Sequence, residues 1–136
     1  AEVLRSSLRT TITGGNACVV IAAEQDPCVA ITFAEVVATS DVPPGVINIL
    51  TGRIAELARH LAAHADVNAL DLTGADAALR ESLEQAAAET VKRVYAPRGV
   101  PDFAAAPGTA RLRAFLEIKT VWHPTGALAL SGGTLY

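Results

Sequence analysis

The chain has 136 residues, of which 51% are hydrophobic and 18% charged, and its formal net charge is −3. That is one domain of ordinary size with enough apolar material for a buried core, which excludes an intrinsically disordered chain. With 11 basic against 14 acidic residues and no basic cluster, nothing favours nucleic acid, and no apolar run approaches the roughly 20 residues of a membrane span.

Taken in order, Glu2 to Leu8 reads as the end of a helix, with Val3, Leu4 and Leu8 as its apolar stripe. Gly14, Gly15 and Asn16 make a turn, and Ala17 to Ile21 is the first predicted strand. Asp26 followed by Pro27 is a helix start, with Asp as N-cap and Pro at the first position. Val29, Phe33, Val36 and Val37 give that helix its apolar face. It stops at Asp41, because Pro43 and Pro44 cannot continue it. Val46 to Leu50 is the second strand, closed by Thr51 and Gly52. Ile54, Leu57, Ala58 and Leu61 mark the next helix, which ends near His64. Val67 to Leu72 is the third strand, followed by a Thr73–Gly74 turn and a long helix from Asp76 to Val94.

Strands alternating with helices predict an α/β fold, a Rossmann-like parallel βαβαβ sheet with flanking helices. From Tyr95 to Thr109 three prolines and two glycines predict a linker. Beyond it, Leu116, Ile118, Thr120 and Trp122 alternate with Glu117, Lys119, Val121 and His123, which predicts a C-terminal strand over about Phe115 to His123. The expected division is 1–94 as the α/β unit, 95–109 as linker and 110–136 as strand and tail.

Three stretches, GGNACVVIAAEQDP, FAEVVATSDVPPGVINILTG and HADVNALDLTG, together resemble the second half of the NAD-binding domain of aldehyde dehydrogenases. The family pattern there runs through a GN turn, a strand ending in Lys-Pro and a glutamate, an LPPGV entry to the second strand, and a TGS turn. The match is in order and at the right separations. AFLEIKTV in the tail resembles the family's oligomerisation strand, which pairs with a neighbouring subunit. The resemblance implies that the chain passes from half a cofactor domain to that strand through the linker.

Ligands of a parallel sheet bind where its strands end in loops, here Ala22 to Asp26, Thr51 to Arg53 and Thr73 to Asp76. The resemblance places Glu24 at the family's ribose-binding glutamate. Glu24, Thr51, Gly52, Thr73 and Gly74 are therefore the candidate cofactor contacts, for NAD or NADP. Weak binding is expected. Ile21 stands at the family's lysine position, Ala75 and Asp76 replace the hydroxyl of the TGS turn, and Leu79 stands where a small glycine is common.

The resemblance puts the family's general-base glutamate at Pro97, and proline moves no proton. No cysteine follows Cys28, although the family's thioester chemistry needs a thiolate well downstream. Cys18 and Cys28 read as small packing residues and make no disulfide framework. His60 and His64 are spaced as two metal ligands on one helix face would be, but no third ligand accompanies them, and no metal is expected. His123 reads as packing or surface.

No catalytic residue is therefore assigned. The expectation is an aldehyde dehydrogenase-like, non-catalytic structural or partner-binding subunit, a pseudoenzyme. The alternative is an NAD-dependent aldehyde oxidoreductase whose missing groups lie upstream or on another chain. A homo-oligomer, or a complex with another aldehyde dehydrogenase-type chain, is the expected assembly, without nucleic acid or membrane. Two cysteines without a disulfide framework leave a cytoplasmic setting as the default expectation, and the chain, which opens at Ala1 with no signal-peptide pattern, reads as a fragment, a processed product or the ordered part of something larger.

Overall fold

The computed structural model describes residues 8–9, 11–99, 101–102, 104–105 and 108–122. After a helical stretch over 8–9 and 11–13, the elements run β1 (Cys18–Ile21), α1 (Cys28–Ala38), β2 (Ile47–Leu50), α2 (Ile54–Ala63), β3 (Ala69–Asp71), α3 (Ala77–Glu89), β4 (Arg93–Tyr95) and α4 (Thr109–Ala114). The architecture is α/β with short parallel strands and flanking helices, as the alternation of elements predicts. Among the described residues no helix is long and apolar enough to cross a membrane.

The strands form two parallel pairs. β1 lies beside β2 with Cys18 opposite Ile47 and Ile21 opposite Leu50, and β3 lies beside β4 with Ala69 opposite Arg93. The core sits where α2 and α3 cover β3. Ala58 and Ala62 from α2 meet Leu70 and Leu72 from the strand and Leu83 and Ala87 from α3. Alanine on the facing helices lets them approach closely, so the core is thin and built from small groups.

Three boundaries depart from the sequence expectation. The helix expected over Asp76 to Val94 ends at Glu89, and Arg93 to Tyr95 is a strand. The helix is stopped by a Schellman turn, in which Lys92 N–H bonds the Ala87 carbonyl and Val91 N–H that of Ala88, with Val91 in the left-handed region at φ 55°. Asp26 is not the cap of α1. Pro27 holds that position without a side-chain bond, and its carbonyl accepts from Ala30 and Ile31 N–H.

The third departure is the tail. Residues 109–114, within the segment expected to lead directly into a strand, wind into α4. Residues 117–122 take no regular structure; a strand needs a hydrogen-bonded neighbour, and among the described residues no strand pairs with this stretch. The strand expected over Phe115 to His123 is thus not formed among its described residues. His123 itself lies outside them, as does all of the expected helix over Glu2 to Leu8 except Leu8, which is helical.

α4 and the residues after it are tied to both strand pairs. Near its start Arg111 reaches Asp71, the last residue of β3. At its other end the Phe115 carbonyl accepts from Asn16 Nδ2 at 3.1 Å, beside the turn that leads into β1. Glu117 then lies 3.9 Å from Arg93, the first residue of β4.

Candidate functional site

The candidate residues gather at the carboxyl ends of the strands. Glu24, Thr51 and Gly52 line one hollow of about 270 Å³ together with Arg53, because β1 and β2 pair in register and end side by side. Thr73 and Gly74 line a separate, larger cleft, which Glu24 also borders. Gly52 has φ 150°, and a Cβ there would lie 3.0 Å from Leu57 Cδ1, so the turn after β2 requires glycine.

Glu24 is already engaged. Its Oε1 accepts the Ile54 N–H at 2.5 Å, in the first turn of α2. Arg53, the N-cap of that helix, offers no side-chain bond, so a carboxylate from the β1 loop satisfies one of the orphan donors and complements the positive end of the helix. Asp76 does the same for α3, with its Oδ1 accepting from Leu79 N–H at 2.8 Å.

Asp71, at the end of β3, organises the neighbouring turn. Its Oδ1 accepts from Thr73 N–H at 3.0 Å and from the Thr73 hydroxyl at 2.6 Å. Its Oδ2 receives Arg111 Nη2 at 2.6 Å. The Arg111 side chain is only 10% exposed, and its guanidinium stacks 5.3 Å from the Tyr95 ring centroid. Tyr95 meets Phe115 with ring centroids 5.9 Å apart. Neither Asp71 nor Arg111 is marked by a local motif. They are 40 residues apart, and the nearest signal is one carboxylate at a strand end.

The model of the aldehyde dehydrogenase family matches residues 3–117. The chain belongs to the aldehyde dehydrogenase family. It is 30% identical over 131 residues to a mitochondrial aldehyde dehydrogenase of Leishmania tarentolae, covering 95% of this chain and 26% of that protein. It is 38% identical over 79 residues to a hydroxyisobutyraldehyde dehydrogenase of Mycolicibacterium austroafricanum, covering 58% of this chain and 16% of that protein. A third relative, the NADP/NAD-dependent aldehyde dehydrogenase PuuC of Escherichia coli (strain K12), is 29% identical over 92 residues, covering 68% and 19%. The chain thus spans about a quarter or less of these relatives' lengths. No solved structure matches it.

In this member of the family Pro97 follows β4 by two residues. Its carbonyl and that of Ala96 accept from Arg80 Nη1 and Nη2 at 3.2 and 2.6 Å, which ties the loop to α3. Cys18 opens β1, at the end of the strand opposite to Glu24, and its thiol donates to the Val46 carbonyl at 3.5 Å. Burial pushes the Cys18 thiol up from its ordinary value of 9.0, partly offset by the Asn48 backbone N–H. Cys28 is exposed at the start of α1. His60 lies in the last turn of α2 and His64 is its C-cap, with His64 Nδ1 accepting from Asp66 N–H at 3.2 Å. Among the described residues no three His, Cys, Asp or Glu side chains come together as a metal site.

Proposed function

We propose that residues 1–136 form a non-catalytic, structural or partner-binding unit of the aldehyde dehydrogenase family. The reading is carried by Pro97, which occupies the position that the family resemblance gives to the general base and has no proton to exchange. The absence of any cysteine after Cys28 supports it, since aldehyde oxidation through a thioester requires a nucleophilic thiolate. Cys18 and Cys28 lie in the first third of the chain, and neither is near the Pro97 loop in the order of the fold.

The residues present are a poor fit to NAD or NADP. The Glu24 carboxylate that would meet a ribose is committed to the Ile54 N–H. At the start of α3 the Asp76 carboxylate takes the Leu79 N–H, where a pyrophosphate would need an open donor. Asp71 adds a third carboxylate beside the Thr73–Gly74 turn. A nicotinamide cofactor would supply hydride acceptance, and Glu24, Thr51, Gly52, Thr73 and Gly74 would be its contacts. The unfavourable charge around them makes that binding weak.

Partner binding is supported by the tail, where Ile118 is 76% and Trp122 89% exposed. Large apolar side chains exposed to water mark a surface that another chain can cover. The partner is a second copy in a twofold dimer or another aldehyde dehydrogenase-type chain.

The deciding experiment follows NADH formation with a panel of aldehydes. No turnover is expected, and turnover that survives replacement of both Cys18 and Cys28 overturns the reading of the site. Calorimetric titration with NAD is expected to give no binding in the micromolar range. Light scattering on the intact chain, and on a version ending at Pro107, tests the tail. Identical monomeric masses at tens of micromolar exclude self-association through it.

A further inference from the structure

The sequence from Leu83 to Tyr95 carries the marks of one unbroken helix, yet α3 stops at Glu89 and Arg93–Tyr95 is β4. Leu83, Ala87, Val91 and Val94 fall on one helical face, and the first two already pack in the core with Ala58 and Ala62. Glu89 stands four residues before Arg93, the favourable order for an ion pair on a helix surface. As formed, α3 has no basic residue in its last turn. A helix reaching Tyr95 would place Lys92 and Arg93 there, where the dipole favours cations. Pro97 sets the limit, because it keeps Ala96 out of the helical region.

The strand form serves three of these residues poorly. Val91 lies in the left-handed region at φ 55°, which β-branched residues avoid, and its side chain is exposed. Val94 is exposed as well. Arg93 Nε is buried and finds no hydrogen-bond partner among the described residues. A backbone outlier persists only where its surroundings over-determine it, and such outliers gather at switch regions.

The surroundings that hold Val91 are identifiable. Lys92 Nζ donates to the His64 carbonyl and to the Thr90 hydroxyl, both at 2.6 Å, which clamps the turn to the end of α2. Arg93 N–H bonds the Asn68 carbonyl at 3.0 Å, and Leu72 N–H bonds that of Tyr95 at 2.9 Å. The Tyr95 ring is held by Arg111 and Phe115, and Glu117 lies 3.9 Å from Arg93. The clamp, the pairing with β3 and the residues of α4 and after it together keep residues 90–95 extended.

We infer that residues 90–95 are a two-state element, strand β4 in one state and about one and a half further turns of α3 in the other. The main change is at Val91, which moves from the left-handed to the right-handed helical region. Val91 N–H then bonds the Ala87 carbonyl, Lys92 N–H that of Ala88 and Arg93 N–H that of Glu89. The helical state gives up the pairing with β3 and the contacts of Tyr95. Thr90, Val91, Val94 and Tyr95 are only moderate helix formers, so the helix is the minor state. In that state Leu72, one residue before the Thr73–Gly74 turn, loses its partner on β4. The element therefore couples the docking of α4 to the candidate site, whether or not that site has any chemistry.

The test is NMR relaxation dispersion on the intact, isotope-labelled chain, with saturation-transfer measurements to read the shifts of the minor state. Thr90 to Tyr95 are expected to share one exchange process, with a minor state at about 1% whose Cα shifts at Lys92, Arg93 and Val94 are helical. Glycine enters the left-handed region freely and is a poor residue inside a helix. Val91→Gly is therefore expected to lower the minor population roughly tenfold. Lys92→Met removes the clamp with little change in helix propensity, and Glu117→Arg repels Arg93 from the tail. Each is expected to raise the minor population at least twofold. The three side chains reach the surface, so the variants keep the fold. Three outcomes overturn the inference: no shared exchange over residues 90–95, a minor state with random-coil shifts, or a population indifferent to any of the three substitutions.

Discussion

The Arg111 guanidinium lies 2.6 Å from the Asp71 carboxylate, joining the last helix to the end of the third strand. Both side chains are largely buried, at 10% and 18% exposed, and Asp71 also holds the Thr73 turn through its other oxygen. Removing one partner of a buried pair leaves the other charge without compensation, which costs about 3–5 kcal/mol. Arg111→Ala is expected to lose about 3 kcal/mol in urea denaturation, the low end of that range, because water still reaches Asp71. Arg111→Lys should restore only part of it, since an ammonium lacks the planar face that stacks on Tyr95. A loss below about 1 kcal/mol for the alanine variant would mean a solvent-screened pair.

Glu24 gives a prediction that separates a fold role from a cofactor role. Its bond to the Ile54 N–H is a helix cap delivered from a neighbouring loop, and loss of a cap costs about 1 kcal/mol. Glu24→Ala should therefore lower the melting temperature by about 3–6 °C in a domain of this size, with or without NAD present. An unchanged melting temperature in the absence of NAD would show that the capping bond carries no stability.

The first three strands were legible in the sequence, and for a physical reason. ACVVI, VINIL and VNALDL are short β-branched or leucine-rich runs bounded by glycine, proline or polar turns. The carboxyl-end loops followed from them, which is why Glu24, Thr51 and Gly52 do share one hollow. β4 was hidden because Val91 and Val94 continue the apolar stripe of Leu83 and Ala87 at helical spacing, so periodicity alone carries the helix past its end. The left-handed Val91 that ends it is a conformation β-branched residues avoid. The tail misleads in the opposite sense: Leu116, Ile118 and Trp122 alternate like a strand, while the residues before them, TARLRA, are mostly good helix formers. The Asp71–Arg111 pair was beyond reach, since only the folded chain brings those positions together.

The two thiols should differ in reactivity and in their response to pH. Cys28 is exposed, whereas Cys18 is half-buried at the start of β1, and burial raises its pKa above 9.0. At pH 8 a thiol-reactive disulfide should modify Cys28 rapidly and Cys18 at least tenfold more slowly, because the thiolate is the reacting form. The fold favours the neutral thiol, so the stabilisation is fully present below pH 9.0 and is lost as pH rises through the higher folded value. Cys18→Ala should therefore flatten the decline in stability above pH 9.0. Equal modification rates for the two thiols at pH 8 would contradict the burial of Cys18.

Val91 supplies the last prediction, a substitution that should strengthen the fold. It occupies the left-handed position of the Schellman turn that ends α3, at φ 55°, where glycine is the usual residue. A β-branched side chain there crowds its own backbone, at a cost of roughly 1–2 kcal/mol for an L-residue. Val91 offers little in return, because its side chain is 89% exposed and buries almost no apolar area. Glycine removes the crowding but adds freedom to the unfolded chain, which offsets part of the gain by roughly 0.5–1 kcal/mol. Val91→Gly is expected to raise stability by about 0.5–1 kcal/mol, seen as a higher urea midpoint with an unchanged slope. Val91→Ala should gain less, since alanine keeps the Cβ that clashes. A glycine variant less stable than the parent would show that Val91 is held in place by contacts rather than tolerated against its preference.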